Sequence, residues 1–293
     1  MQGIIYQLIS TFAFGTSNAL WRKPIDKLDV EEAILYRTIH SLLFFVVLIF
    51  VFDRPSLIKE GLSNVNYIEI VGFAFIISLI SFFGLFFFNK ALKYSPTGIV
   101  ATTATISFLI VQFISFIVLK ESFSVKIIIP LIIFIIMIIV SDYESIRNYK
   151  LSKGILYGIL AAVFWGATLP LLSIPAKQIG FIETSFILEF SVLIMSFSIF
   201  KWYHKKKISI LNFKKFYKYF LLLGLFAGTG VLFMNLAYTE IPVHIAGAIA
   251  SSTHIITIII SWVLFNEKMK KHQILAALIA FVGIFYLTAI IQK

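Results

Sequence analysis

Ten stretches of predominantly apolar residues recur along the chain, separated by short polar connections. Each is about twenty residues long, the length an α-helix needs to cross a hydrocarbon core about 30 Å thick at 1.5 Å per residue. Within lipid the backbone must satisfy its own hydrogen bonds, and these runs are too long for the strands of a barrel. The pattern predicts helices over 3–21, 31–52, 66–89, 97–119, 124–142, 152–173, 182–203, 216–238, 243–265 and 271–291. The expected fold class is therefore all-α integral membrane, with ten transmembrane helices. Only 13% of the 293 residues are charged and 60% are hydrophobic, whereas a soluble domain carries roughly 25% charged residues. Lipid, not water, must cover most of such a surface.

Composition also excludes some functions. Cysteine is absent, so no disulfide, thiolate metal site or cysteine nucleophile can form. The net charge of +11 resides in connections between apolar runs. That placement fits loops facing anionic lipid headgroups and argues against a nucleic-acid partner. No basic residue precedes the first apolar run, as it would in a signal peptide. The run also has a counterpart later in the chain, so it is expected to stay in the fold.

The chain repeats itself. Gly3-Ile4-Ile5-Tyr6 reads against Gly154-Ile155-Leu156-Tyr157 at an offset of 151, which also carries Phe14-Gly15 onto Trp165-Gly166 and Pro24 onto Pro175. Further on, the offset is 146: Asn89, Ala91, Pro96, Ala104 and Glu121 fall on Asn235, Ala237, Pro242, Ala250 and Glu267. The chain is thus expected to divide into two five-helix units, 1–146 and 147–293. An odd number of crossings forces the second unit to enter from the opposite side, so the units would be inverted. Inverted repeats are an architecture of alternating access, with a solute site near the midplane between them.

Charge predicts an orientation. Apart from Arg37, 18 Lys and Arg lie in one set of alternate connections and 6 in the other. The richer set includes Arg22, Lys23, Lys90, Lys93, Arg147, Lys150 and the lysines between 201 and 218. The positive-inside rule puts it in the cytoplasm and both termini outside. The aromatic residues Phe213, Phe216, Tyr217 and Tyr219 are expected to form an interfacial belt.

The ordered motifs resemble the drug/metabolite transporter superfamily, specifically its EamA-type ten-helix members. They are Phe14-Gly15 and Trp165-Gly166, then Asn89-Lys90-Ala91-Leu92-Lys93-Tyr94-Ser95-Pro96 and Asn235-Leu236-Ala237-Tyr238-Thr239-Glu240-Ile241-Pro242. Small-residue helices ending in Leu119-Lys120-Glu121 or Phe265-Asn266-Glu267 complete the set. The resemblance spans essentially the whole chain. It implies a transporter of small metabolites whose cavity is lined mainly by the first, third and fourth helices of each half. It also implies cytoplasmic termini, opposite to the charge count.

Polar groups within spans cost energy unless they are paired or line a wet cavity, so each is informative. Glu189 and Arg37 are the charge or coupling candidates: a proton or cation site, or a contact for an anionic substrate. The repeat maps one near the other's position, 152 residues on, and inversion places the two near opposite faces, so a direct ion pair is not expected. The substrate cavity candidates are Asn18, Trp165, Ser107, Thr103, His254 and Ser251. Gly15, Gly166 and Pro170 are hinge candidates. Asn89 and Asn235 read as helix caps, and Glu121 and Glu267 as interfacial anchors. No metal site or cofactor is expected.

No histidine stands in an H-x-x-x-H or H-E-x-x-H arrangement, and no P-loop occurs. An enzyme is therefore not expected, and transport would be downhill, exchange or ion-coupled. The expected function is a secondary transporter in the cell membrane for small metabolites such as amino acids or amphipathic drugs, with export favoured by family tendency. It would act as a monomer or homodimer. The alternatives are uptake, lipid-linked translocation, a membrane-embedded enzyme or a non-transporting scaffold.

Overall fold

The computed structural model describes residues 1–52, 54, 64–122, 128–141, 143, 153–203, 210–266 and 271–291. Arg147, Lys150 and Glu267, named above, lie outside the described residues, as do lysines 205–207.

The described chain is helical. The helices are α1 (Gln2–Leu20), α2 (Arg22–Ile25), α3 (Val30–Val51), α4 (Val65–Leu92), α5 (Thr97–Ala104), α6 (Ser107–Ile117) and α7 (Ile128–Ser141). There follow α8 (Lys153–Thr168), a 3₁₀ turn (Leu169–Leu172), α9 (Ser173–Gln178), α10 (Phe181–Tyr203), α11 (Ile210–Glu240), α12 (Val243–Ala250), α13 (Thr253–Phe265) and α14 (Lys271–Ile291). Among the described residues, seven helical segments are long and apolar enough to cross a membrane, counting α5–α6 and α12–α13 as one each. Large apolar side chains such as Phe50, Phe281 and Phe285 stand exposed on the outside, as a lipid-facing surface requires.

Two predicted helices are interrupted. The run 97–119 breaks at Thr105-Ile106, and the run 243–265 breaks at Ser251-Ser252. The cause is local. Thr102, Thr103 and Thr105 hydrogen-bond to carbonyls four residues back, and the Ser251 hydroxyl donates to Ala248 O. Such back-bonding competes with the helix ladder and bends it. The backbone tightens to three-residue bonds there, Phe108 N–H to Thr105 O and Ile255 N–H to Ser252 O. A further departure is at α11, which begins at Ile210 within the expected polar connection. Phe213 and Phe216 therefore pack inward rather than forming a belt: Phe213 lies against Tyr36 and His40, and Phe216 against Phe220.

Packing is reciprocal. α1 lies on α11 and α13, whereas α8 lies on α4, α5 and α6; α3 packs on α10, and α7 on α14. The close contacts repeat in detail. A Cβ on Gly15 would sit 2.5 Å from Ile256 Cβ, and one on Gly166 2.7 Å from Ile110 Cβ. Phe14 lies on Gly230, and Trp165 lies on Gly84. Ile256 and Gly230 stand 146 residues after Ile110 and Gly84, so each contact has its counterpart with the partners exchanged.

Candidate functional site

The helix breaks and the aromatic residues of α1 and α8 converge on a central cavity of about 180 Å³. Its walls are mostly apolar, with Phe14, Trp21, Phe88, Phe108 and Trp165 among them. The breaks contribute Ala104, Thr105 and Ser107 on one side and Ala250, Ser251, Thr253 and His254 on the other. A break at membrane depth leaves backbone polar groups outside the helix ladder, which is tolerated where they line a cavity.

Among the described lining residues, Arg37 and Glu189 carry the only formal charges. They pair with each other in a fork: Arg37 Nη1 donates to Glu189 Oε2 at 2.5 Å, and Nη2 donates to Oε1 at 2.8 Å. The Ser41 hydroxyl adds a third donor to Oε2 at 2.7 Å. Both charged residues are almost fully buried, 4% and 1% exposed. This corrects the expectation from inversion that they would lie apart. α3 and α10 pack directly on each other, which brings the two side chains together. Arg37 Nε, also buried, has no hydrogen-bond partner among the described residues.

His254, 1% exposed, places Nδ1 2.7 Å from Ser251 O. A carbonyl can only accept, so Nδ1 carries a proton, and Nε2 is the ring nitrogen left over. That nitrogen has no hydrogen-bond partner among the described residues. His40 instead bonds the carbonyl of Tyr36 on its own helix and stacks on Phe213.

Of the residues singled out from sequence, Asn18, Trp165, Ser107, Ser251, His254, Arg37 and Glu189 line the cavity. Thr103 does not: its hydroxyl donates to Ile99 O and its Cβ packs on Gly158. Gly15 and Gly166 lie inside continuous helices with ordinary backbone angles, and they serve close approach to α13 and α6. Pro170 falls in the 3₁₀ turn that ends α8. Asn89 and Asn235 do not cap helices. Asn89 donates to Leu85 O in its own helix, and Asn235 donates across to Ser185. Gln7, Ser17, Ser81, Thr105 and Tyr238 also line the cavity and were not foreseen. α3 and α10 contribute to the wall too, through Arg37 and through Leu188, Glu189 and Val192, beyond the helices the resemblance implied.

At one end of the bundle, Glu121 caps α12. Its carboxylate accepts from Val243 N–H at 2.6 Å, His244 N–H at 3.0 Å and His244 Nδ1 at 2.6 Å. These donors satisfy the carboxylate while it satisfies the free amides of a helix start. Burial pushes the Glu121 carboxyl up, but the hydrogen bonds from the His244 side chain and the two backbone amides outweigh it and hold it below its usual value.

A cavity enclosed by lipid-crossing helices, with a neutralised charge pair in its wall, is the arrangement of a membrane transport protein. The model of the EamA-like transporter family matches residues 1–141 and again 152–289, and the chain belongs to that family. No curated protein matches the chain. A solved crystal structure, described only as that of a protein, covers 96% of this chain and 96% of its own, with a TM-score of 0.68 and 12% identity. At that identity the likeness shows the shared fold alone.

Proposed function

We propose that the protein is a ten-helix secondary transporter of small metabolites, such as amino acids or amphipathic drugs. It would work by alternating access between two inverted five-helix halves, 1–146 and 147–293, in the cell membrane. The observation that carries this reading is the exchange of contacts under the repeat. Phe14 on Gly230 answers Trp165 on Gly84, and Gly15 on Ile256 answers Gly166 on Ile110. The cavity lies between these reciprocal contacts. Two halves with equivalent surfaces can trade conformations, opening the cavity first to one side and then to the other. The resemblance favours export.

The cysteine-free sequence gives a direct test. Single cysteines replacing Ser107 and Ser251 are exposed in sealed vesicles to a membrane-impermeant thiol reagent. The reading expects each to react from either side, with the balance shifting when a transported solute is present. Reaction from one side only, under all solute conditions, would remove alternating access.

A further inference from the structure

The buried pair Arg37–Glu189 is the cavity's charged feature, and its two members differ in what each can do when separated. Resting on the reading of the cavity as a solute site, we propose that it is a proton-linked carboxylate site. A small monocarboxylate with an aromatic or apolar body displaces Glu189 from Arg37, and Glu189 then takes up a proton.

The guanidinium is held by two carboxylate oxygens at 2.5 and 2.8 Å, and its Nε is buried without a partner among the described residues. An incoming carboxylate can reproduce the fork and still find an unused donor on the same group. A buried charge left alone is costly, so the member set free must be one that can discharge. Glu189 can, by protonation, while Ser41 still offers a hydroxyl to it. Arginine cannot lose its proton. A cationic ligand on Glu189 would therefore strand Arg37 as an uncompensated buried charge. The pair consequently selects anions over cations, and the apolar wall around it (Phe88, Phe108, Trp165) selects an apolar body.

The balance is simple. Arg37 loses one carboxylate and gains another, and one proton from solvent ends on the Glu189 carboxyl. The occupied cavity has the same net charge as the empty one. No covalent bond forms or breaks apart from that proton's transfer.

Other titratable groups stand on the elements packed around the pair. Tyr238 from α11 and His254 from α13 line the same cavity. α4, packed on α10, presents Ser81 there. His40 on α3 faces Phe213 and Tyr217. Lys177 of α9 is exposed, and Arg22 of α2 bonds the carbonyl of Leu92.

Calorimetric titration of the purified protein with sodium benzoate, near neutral pH and in buffers of different ionisation enthalpy, counts protons directly. The wild type should take up about one proton per benzoate, with Kd rising about tenfold per pH unit. E189Q should still bind benzoate but take up no proton. R37Q/E189Q, which leaves no unpaired buried charge, should fold and show at least tenfold weaker binding. Absence of benzoate binding by the wild type overturns the proposal. So does binding without proton uptake, or unchanged binding by the folded double variant. Equal uptake by E189Q and the wild type also overturns it, because benzoic acid itself would then be the bound species. Benzoate that binds as described but is not moved across proteoliposomes leaves the anion site standing and removes the transport reading. A protein that moves other solutes yet shows no benzoate binding does the reverse.

Discussion

Arg37 and Glu189, 152 residues apart in the chain, meet in a two-bond fork deep in the cavity wall. The contact ties α3 to α10 at the level where the cavity lies. It also sets the energetic stakes of any substitution there. Breaking a buried pair leaves one charge uncompensated, at a cost of about 3–5 kcal/mol, while neutralising both members together costs far less. E189Q alone, which strands a guanidinium that cannot discharge, should lower the thermal midpoint of the protein markedly. R37Q/E189Q should recover most of the loss. Thermal unfolding of the single and double variants in detergent checks this, and additive losses would mean that the two groups do not depend on each other.

Glu121 should govern acid stability at one end of the bundle. Its folded carboxyl titrates below its unfolded value, so its stabilisation is complete above the ordinary glutamate range. That stabilisation is lost as pH falls from about 4.5 through the lower folded value. E121Q should lose about 2 kcal/mol at neutral pH, since a charged acceptor at a helix start is replaced by a neutral one. Its stability should then vary less than that of the wild type on acidification. Thermal midpoints measured from pH 7 to pH 2 read both effects, and parallel curves across the acid limb would contradict the assignment.

The glycine contacts predict a symmetric pair of rescues. G15A drives a methyl against Ile256, and G166A drives one against Ile110. Overpacking of this kind costs about 1–3 kcal/mol. I256G, which removes the clashing Cβ, should restore part of the stability of G15A, and I110G that of G166A, whereas the crossed combinations should add independently. Rescue by the crossed partner would contradict the reciprocal packing.

The charge count predicts that both termini face away from the cytoplasm. A topology reporter fused after Lys293 should therefore report the non-cytoplasmic side, and activity on the cytoplasmic side would reverse the orientation.

The helices were legible because hydropathy over about twenty residues directly reflects the thickness of the lipid core. The breaks at Thr105-Ile106 and Ser251-Ser252 were not, because apolar periodicity continues through them. The clustered Thr102, Thr103, Thr105 and Ser251, Ser252, Thr253 were the available signal. Seven of the residues singled out reach the cavity, since a polar side chain in an apolar helix needs a wet or paired environment. Thr103 failed that rule by bonding its own backbone, an outlet open to any helical threonine. The glycines were read as flexible when their use is close contact, which depends on the partner helix. The ion pair was missed because an offset along the sequence does not give the distance between two helices in the fold.

The central claim is that the protein moves small solutes. Proteoliposomes loaded with a mixed metabolite extract and incubated with solute-free buffer, then assayed by mass spectrometry, test it most directly. The account predicts that a subset of small metabolites leaves faster than from protein-free vesicles. It also predicts that this loss is abolished when bulky side chains replace Ser107 and Ser251 in a protein that still folds. Equal retention of every solute with and without the protein would contradict it.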